Sequence, residues 1–139
     1  MTDEFDLQRF VDAQDPVYDT VVAELRTGRK RSHWMWFIFP QLAGLGRSEM
    51  AQRYAIRSAD EAAAYLAHPV LGARLRECAG IVVALDADTI EDVFGTPDDM
   101  KFHSSMTLFA DVAPDEAVFQ GCIDRWFDGA PDRNTLALL

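Results

Sequence analysis

A chain of 139 residues, 49% of them hydrophobic, has the length of one domain spanning residues 1–139 and can bury a sizeable core. Its 13 Lys and Arg against 23 Asp and Glu leave a net charge of −10, which excludes the broad basic footprint that nucleic acid or an anionic membrane surface requires. No stretch approaches the roughly 18 uninterrupted apolar residues of a membrane span, and the acidic start MTDEFDLQRF carries no signal-like apolar run, so a cytoplasmic protein is expected.

Helical start and stop signals follow one another closely. Phe5, Leu7, Phe10 and Val11 recur at helical spacing. Asp15 before Pro16 reads as an N-cap with proline at the first helical position, and the helix behind it sets Val17, Val21, Val22 and Leu25 on one side and ends near Gly28. Ser32 is placed to cap a short helix through WMWFIF that Pro40 stops, although a buried strand of that length fits the same residues. Ser48 precedes a helix through EMAQRYAI, and Asp60 is placed to cap EAAAYLA, whose alanines favour helix strongly. From Val70 to Val83 the apolar positions Leu71, Leu75, Cys78, Ala79 and Val82 keep the helical period for several turns.

The second half continues in the same way. Thr89 with Asp92 three residues on resembles a capping pattern for a short turn closed by Gly95. Asp98 or Asp99 opens a helix through MKFHSSMTLFADV. Pro114, Asp115 and Glu116 lead into AVFQGCIDRWF, which Gly129 closes, and Asp132 caps a last turn, RNTLALL. The pattern predicts a mainly α, compact multihelical domain of short helices, with WMWFIF and GIVVAL as the only segments rich enough in aromatic and β-branched residues to supply a minor β element.

Two stretches carry chemistry. Arg26, Arg29, Lys30 and Arg31 fall within six positions and run directly into His33, Trp34, Trp36, Phe37 and Phe39. Cationic donors tethered beside flat apolar rings suit an anionic group joined to a planar one, with Arg29, Lys30, Arg31 and His33 as anion contacts and Trp34 or Trp36 as a stacking surface. The plainer alternative makes the aromatics core and the basic run a solvated turn. In DDMKFHSSMTLF, Lys101 and Ser105 share a helix face at i and i+4 with Ser104 beside them. Serine competes with the helix backbone and lysine is costly to bury, so Lys101, Ser104 and Ser105 are candidates to hold a phosphate or carboxylate. The carboxylates Asp98, Asp99 and Asp132 are the weak catalytic candidates.

Other chemistry is missing from the sequence. It contains no Walker loop, GxGxxG, HExxH or GxSxG, and the histidines His33, His68 and His103 are too scattered for a metal site, so no metal and no cofactor is expected. His68 before Pro69 reads as a capping or surface residue. Cys78 and Cys122, far apart within apolar helical patterns, read as buried free thiols.

The strings HWMWFIFPQLAGLG, YAIRSADEAAAYLAHPVLGARL, KFHSSMTLFADV and FDGAPDRNTLALL together resemble the bacterial domain of unknown function 1810 over nearly the whole chain. The calpastatin label sometimes attached to that family implies a disordered, repeat-containing protease inhibitor, which does not fit a chain this rich in aromatics. In general layout, with Lys101–Phe102 and a late Asp132, the chain also resembles the YbiA-like or NADAR class. That resemblance implies ADP-ribose or riboflavin-pathway chemistry of the N-glycosidase type, without a residue-by-residue match. Two functions are therefore expected in competition. One is binding or hydrolysis of a small phosphorylated ribosyl or nucleotide-like ligand, in which a carboxylate stabilises the charge developing on the sugar. The other is a non-catalytic ligand- or protein-binding domain using the same pocket.

Overall fold

The computed structural model describes residues 3–139, and its secondary structure is helical throughout: α1 (Gln8–Gln14), α2 (Tyr18–Arg26), α3 (Met35–Ile38), α4 (Glu49–Arg53), α5 (Ala59–Ala67), α6 (Leu71–Val83), α7 (Ile90–Phe94), α8 (Asp98–Val112), α9 (Ala117–Trp126) and α10 (Arg133–Leu138). Among the described residues there is no strand, only an isolated parallel bridge between Leu42 and Ile56. WMWFIF is helical over Met35–Ile38 and GIVVAL belongs to the end of α6, so neither supplies the minor β element. No helix among the described residues is long and apolar enough to cross a membrane.

Several boundaries follow the local signals. Ser48 accepts from the Ala51 amide and Thr89 from the Asp92 amide. Asp132 accepts from the Thr135 amide, and Gly28, Gly95 and Gly129 take positive φ where helices end. His68 does cap α6, its Nδ1 accepting from the Val70 and Leu71 amides at 3.1 and 3.2 Å.

Three expected caps are not made, two because a longer-range bond takes the side chain and one because a neighbouring residue caps instead. Asp15 leaves the start of α2 uncapped because its carboxylate pairs with Arg74 at 2.9 Å, and α2 begins two residues after Pro16. Ser32 gives its hydroxyl proton to Glu24 at 2.6 Å, and α3 begins only at Met35. Asp60 lies in the first turn of α5, where its charge suits the helix dipole, while Ser58 makes the capping bond.

The central element is α8, which packs against α5, α7, α9 and α10, and its Phe102, Met106, Leu108 and Phe109 are fully buried. Phe102 meets Phe39 edge-on at 4.9 Å and stacks on Phe94 at the same distance, which fixes α3 and α7 beside the first turns of α8. Both cysteines are buried and free. Burial pushes each thiol up to about 12, which removes them from nucleophilic chemistry.

Candidate ligand cleft beside the first turns of α8

The basic run is held by an acid. Glu24, in the last turns of α2, accepts from the Arg31 amide at 2.7 Å, the Ser32 amide at 3.0 Å, the Ser32 hydroxyl at 2.6 Å and the Trp34 indole at 3.0 Å. Burial by itself pushes this carboxyl up. The hydrogen bonds, led by the Ser32 hydroxyl, outweigh it and hold the group down at about 2. Arg29 and Arg31 stay exposed with no side-chain hydrogen bond or ion pair among the described residues, and His33 is exposed next to them.

Lys30 turns inward. Its ammonium reaches Asp98 at 2.9 Å and lies 5.1 Å over the Trp34 ring, while its amide donates to the Val93 carbonyl at 2.8 Å. Lys101, one turn into α8 from Asp98, approaches the same carboxylate at 3.7 Å and lies 5.6 Å over the Trp36 ring. Two segments seventy positions apart thus meet on one aspartate, each lysine covering one of the two tryptophans. The side chains differ in exposure, 8% for Lys30 and 24% for Lys101.

Lys101 opens into a cleft of about 250 Å³. One wall is α8, through Met100, Lys101, His103 and Ser104; the loop after α3 supplies Gln41, Leu45 and Gly46, and the segment before α10 supplies Asp132 and Asn134. Gly46 is required by packing, since a Cβ there would stand 2.5 Å from the Ala51 Cβ. Asp132 ties the walls together. Its Oδ2 accepts from the Ser104 hydroxyl at 3.0 Å, the Thr135 amide at 3.2 Å and the Thr135 hydroxyl at 2.6 Å, while its own amide donates to Thr107 Oγ1 at 2.9 Å. His103 lies flat on Phe127 at 3.9 Å and its Nε2 meets the Ala130 carbonyl at 2.7 Å. A carbonyl only accepts, so Nε2 carries the proton in this contact.

The fold gathers Lys101, Ser104 and Asp132 in this cleft and leaves other expected contacts outside it. Trp34 is 1% exposed with its N–H committed to Glu24, so it is a core residue and offers no stacking face. Trp36 is half-buried against the core, and its Nε1 is buried without a partner among the described residues. Ser105 is fully buried beside Phe102 and Phe109 on the inward face of α8, so its hydroxyl cannot reach a ligand in the cleft. Ser104 shares its single proton between the Met100 carbonyl and Asp132, so what it presents is lone pairs. Asp98 and Asp99 do not line the cleft; Asp98 pairs with both lysines, and Asp99 has a buried Oδ1 without a partner among the described residues. Gln41, His103 and Asn134 were not legible as site residues, because only the tertiary fold brings them beside Lys101. Among the described residues no three His, Cys, Asp or Glu side chains gather as a metal site requires.

With this geometry in place, the comparisons decide the family. A family model described as protein of unknown function (DUF1810) matches residues 4–139. The chain belongs to the DUF1810 family. The crystal structure of the conserved hypothetical protein Rv1873 from Mycobacterium tuberculosis has the same fold as this DUF1810 chain, with a TM-score of 0.97 and 55% identity over 99% of this chain and 98% of that one. No curated protein matches the chain. The DUF1810 match bears out the family read from the aromatic block and its PQ and GLG exit, and neither similarity extends to the YbiA-like class.

Proposed function

We propose that this protein binds a small phosphorylated, hydroxyl-bearing ligand of the ribosyl type in the cleft beside α8, with Lys101 holding the anionic group. One observation carries the reading. Lys30 and Lys101 share the single carboxylate of Asp98, so this cluster holds one more positive than negative charge before Asp132 across the cleft is counted, and the more exposed of the two lysines is the one that lines the cleft. An ammonium in a concave, partly dewatered site attracts a phosphate far more strongly than the same group on an open surface. The remaining polar lining groups are hydroxyl, amide, imidazole and carboxylate, which suit the hydroxyls of a sugar, beside the aliphatic surface of Leu45, Pro97 and Met100.

The YbiA-like resemblance adds N-glycosidic hydrolysis to this reading. Asp132, as the carboxylate that lines the cleft, is the group available to stabilise an oxocarbenium-like sugar. Thermal-shift measurements with inorganic phosphate, sugar phosphates and ADP-ribose test the binding, since a ligand selective for the native state raises the midpoint by mass action. Lys101→Ala is expected to lose about 1.5–3 kcal/mol of affinity for whichever phosphate binds, the worth of a charge-assisted hydrogen bond. Product analysis on the bound ligand separates hydrolysis from binding alone, and binding without turnover selects the non-catalytic domain. No shift with any phosphorylated compound would overturn the proposal.

A further inference from the structure

We infer that the ligand of this cleft is a single sugar phosphate without a nucleobase, and that Asp132 Oδ1 reads its hydroxyls; the inference rests on the anion-binding reading above and stands against its hydrolytic extension, since such a ligand has no base to lose. Size gives the first argument. A cleft of about 250 Å³ lies below the roughly 300–1,000 Å³ of sites that take drug-sized ligands, so its walls embrace one sugar with its phosphate and would leave the rest of a dinucleotide in solvent.

The walls give the second argument. None of the three tryptophans lines the cleft: Trp34 is sealed in the core, Trp36 has its indole N–H buried, and Trp126 donates its N–H to the Val82 carbonyl. Among the described residues, the one aromatic ring in the lining is the imidazole of His103, and one face of it is already covered by Phe127. The apolar surface comes from aliphatic groups, among them Met100, 64% exposed at the mouth. Such walls pack a sugar ring edge and give a base no broad flat partner.

The third argument is how Asp132 divides its two oxygens. Oδ2 is saturated by Ser104 and Thr135, which locks the carboxylate plane between α8 and α10. Oδ1 accepts no hydrogen bond among the described residues and is not sealed from solvent. A carboxylate oxygen held rigid and unspent accepts from hydroxyls and repels a bare phosphate, so it favours a sugar phosphate over inorganic phosphate. The Gln41 and Asn134 amides, likewise without side-chain bonds among the described residues, flank it with further donors and acceptors.

Isothermal titration of ribose 5-phosphate, 2-deoxyribose 5-phosphate, inorganic phosphate and ADP-ribose against the full chain tests this. The wild type is expected to bind ribose 5-phosphate about tenfold or more tightly than the deoxy sugar or inorganic phosphate, with ADP-ribose no tighter. Asp132→Asn keeps an equivalent N-cap for α10, and an unchanged melting temperature verifies that. This variant should bring the ribose-to-deoxyribose ratio close to one without weakening inorganic phosphate, whereas Lys101→Ala should weaken all the phosphates alike. Equal affinity for the two pentose phosphates, a ratio unmoved in Asp132→Asn, or ADP-ribose binding well above ribose 5-phosphate overturns the inference and leaves the anion site standing. Failure of all four probes to bind removes the anion site as well.

Discussion

Lys30 and Lys101 contact the same aspartate and each covers a tryptophan, yet they belong to regions of opposite kind. Around Lys30 the inward-facing polar groups are committed, while Arg29 and Arg31 on either side of it point to solvent: Glu24 takes four hydrogen bonds, Ser32 and Trp34 are spent on it, and Lys30 itself is sealed against Asp98. Around Lys101 the contact to Asp98 is longer, and the Gln41 and Asn134 side chains and Asp132 Oδ1 have capacity left over. A region whose hydrogen bonds are all closed within the chain serves the fold, because any ligand would have to displace an existing partner. A region with rigid but unspent groups is the one able to bind.

The largest effect is expected on the closed side. Trp34→Ala removes a fully buried side chain and leaves Glu24 short of a donor, and should cost about 3–5 kcal/mol in denaturant unfolding. A loss well under that range would mean that the aromatic block is loosely packed.

Glu24→Gln comes next, at about 1.5–3 kcal/mol near neutral pH, because an amide cannot accept the same set of charge-assisted bonds. The wild-type carboxyl sits at about 2 in the folded chain against 4.5 ordinarily, so its contribution is complete above pH 4.5 and lost as pH falls toward 2. The variant should show a shallower decline of stability across that window. An acid-unfolding profile parallel to wild type would contradict the role given to Glu24.

The two lysines supply the sharpest contrast. Lys30→Ala should destabilise by about 1.5–3 kcal/mol, since a nearly buried charged bond and its packed stem are lost. Lys101→Ala should change stability by less than about 1 kcal/mol, the worth of a longer and more exposed pair, while removing phosphate affinity. Equal destabilisation by both would erase the distinction between the regions. The smallest difference expected is between Asp132→Asn, near neutral in stability, and Asp132→Ala, which should lose about 0.5–2 kcal/mol as an N-cap is deleted.

Local chemistry in the sequence determined a good deal of this protein. Ser48, Thr89 and Asp132 cap the helices that follow them, Gly28 and Gly129 close those that precede them, and the period of Leu71, Leu75, Cys78 and Val82 places the buried face of α6. These are signals within about four residues, where backbone sterics and side-chain reach leave few alternatives. Asp15, Ser32 and Asp60 failed as caps where a partner far along the chain, or a better one nearby, took the bond.

The candidate site was half legible. Lys101 and Ser104 could be singled out as polar groups the helix did not need, and Asp132 as a late carboxylate, whereas the tertiary structure alone decided that Trp34 is core and Ser105 inward. It also decided that Lys30 serves Asp98 and that Gln41, His103 and Asn134 stand beside Lys101. The reason is physical: a residue's type states which bonds it is able to make. Which of them it makes depends on groups that only folding brings within 3 Å.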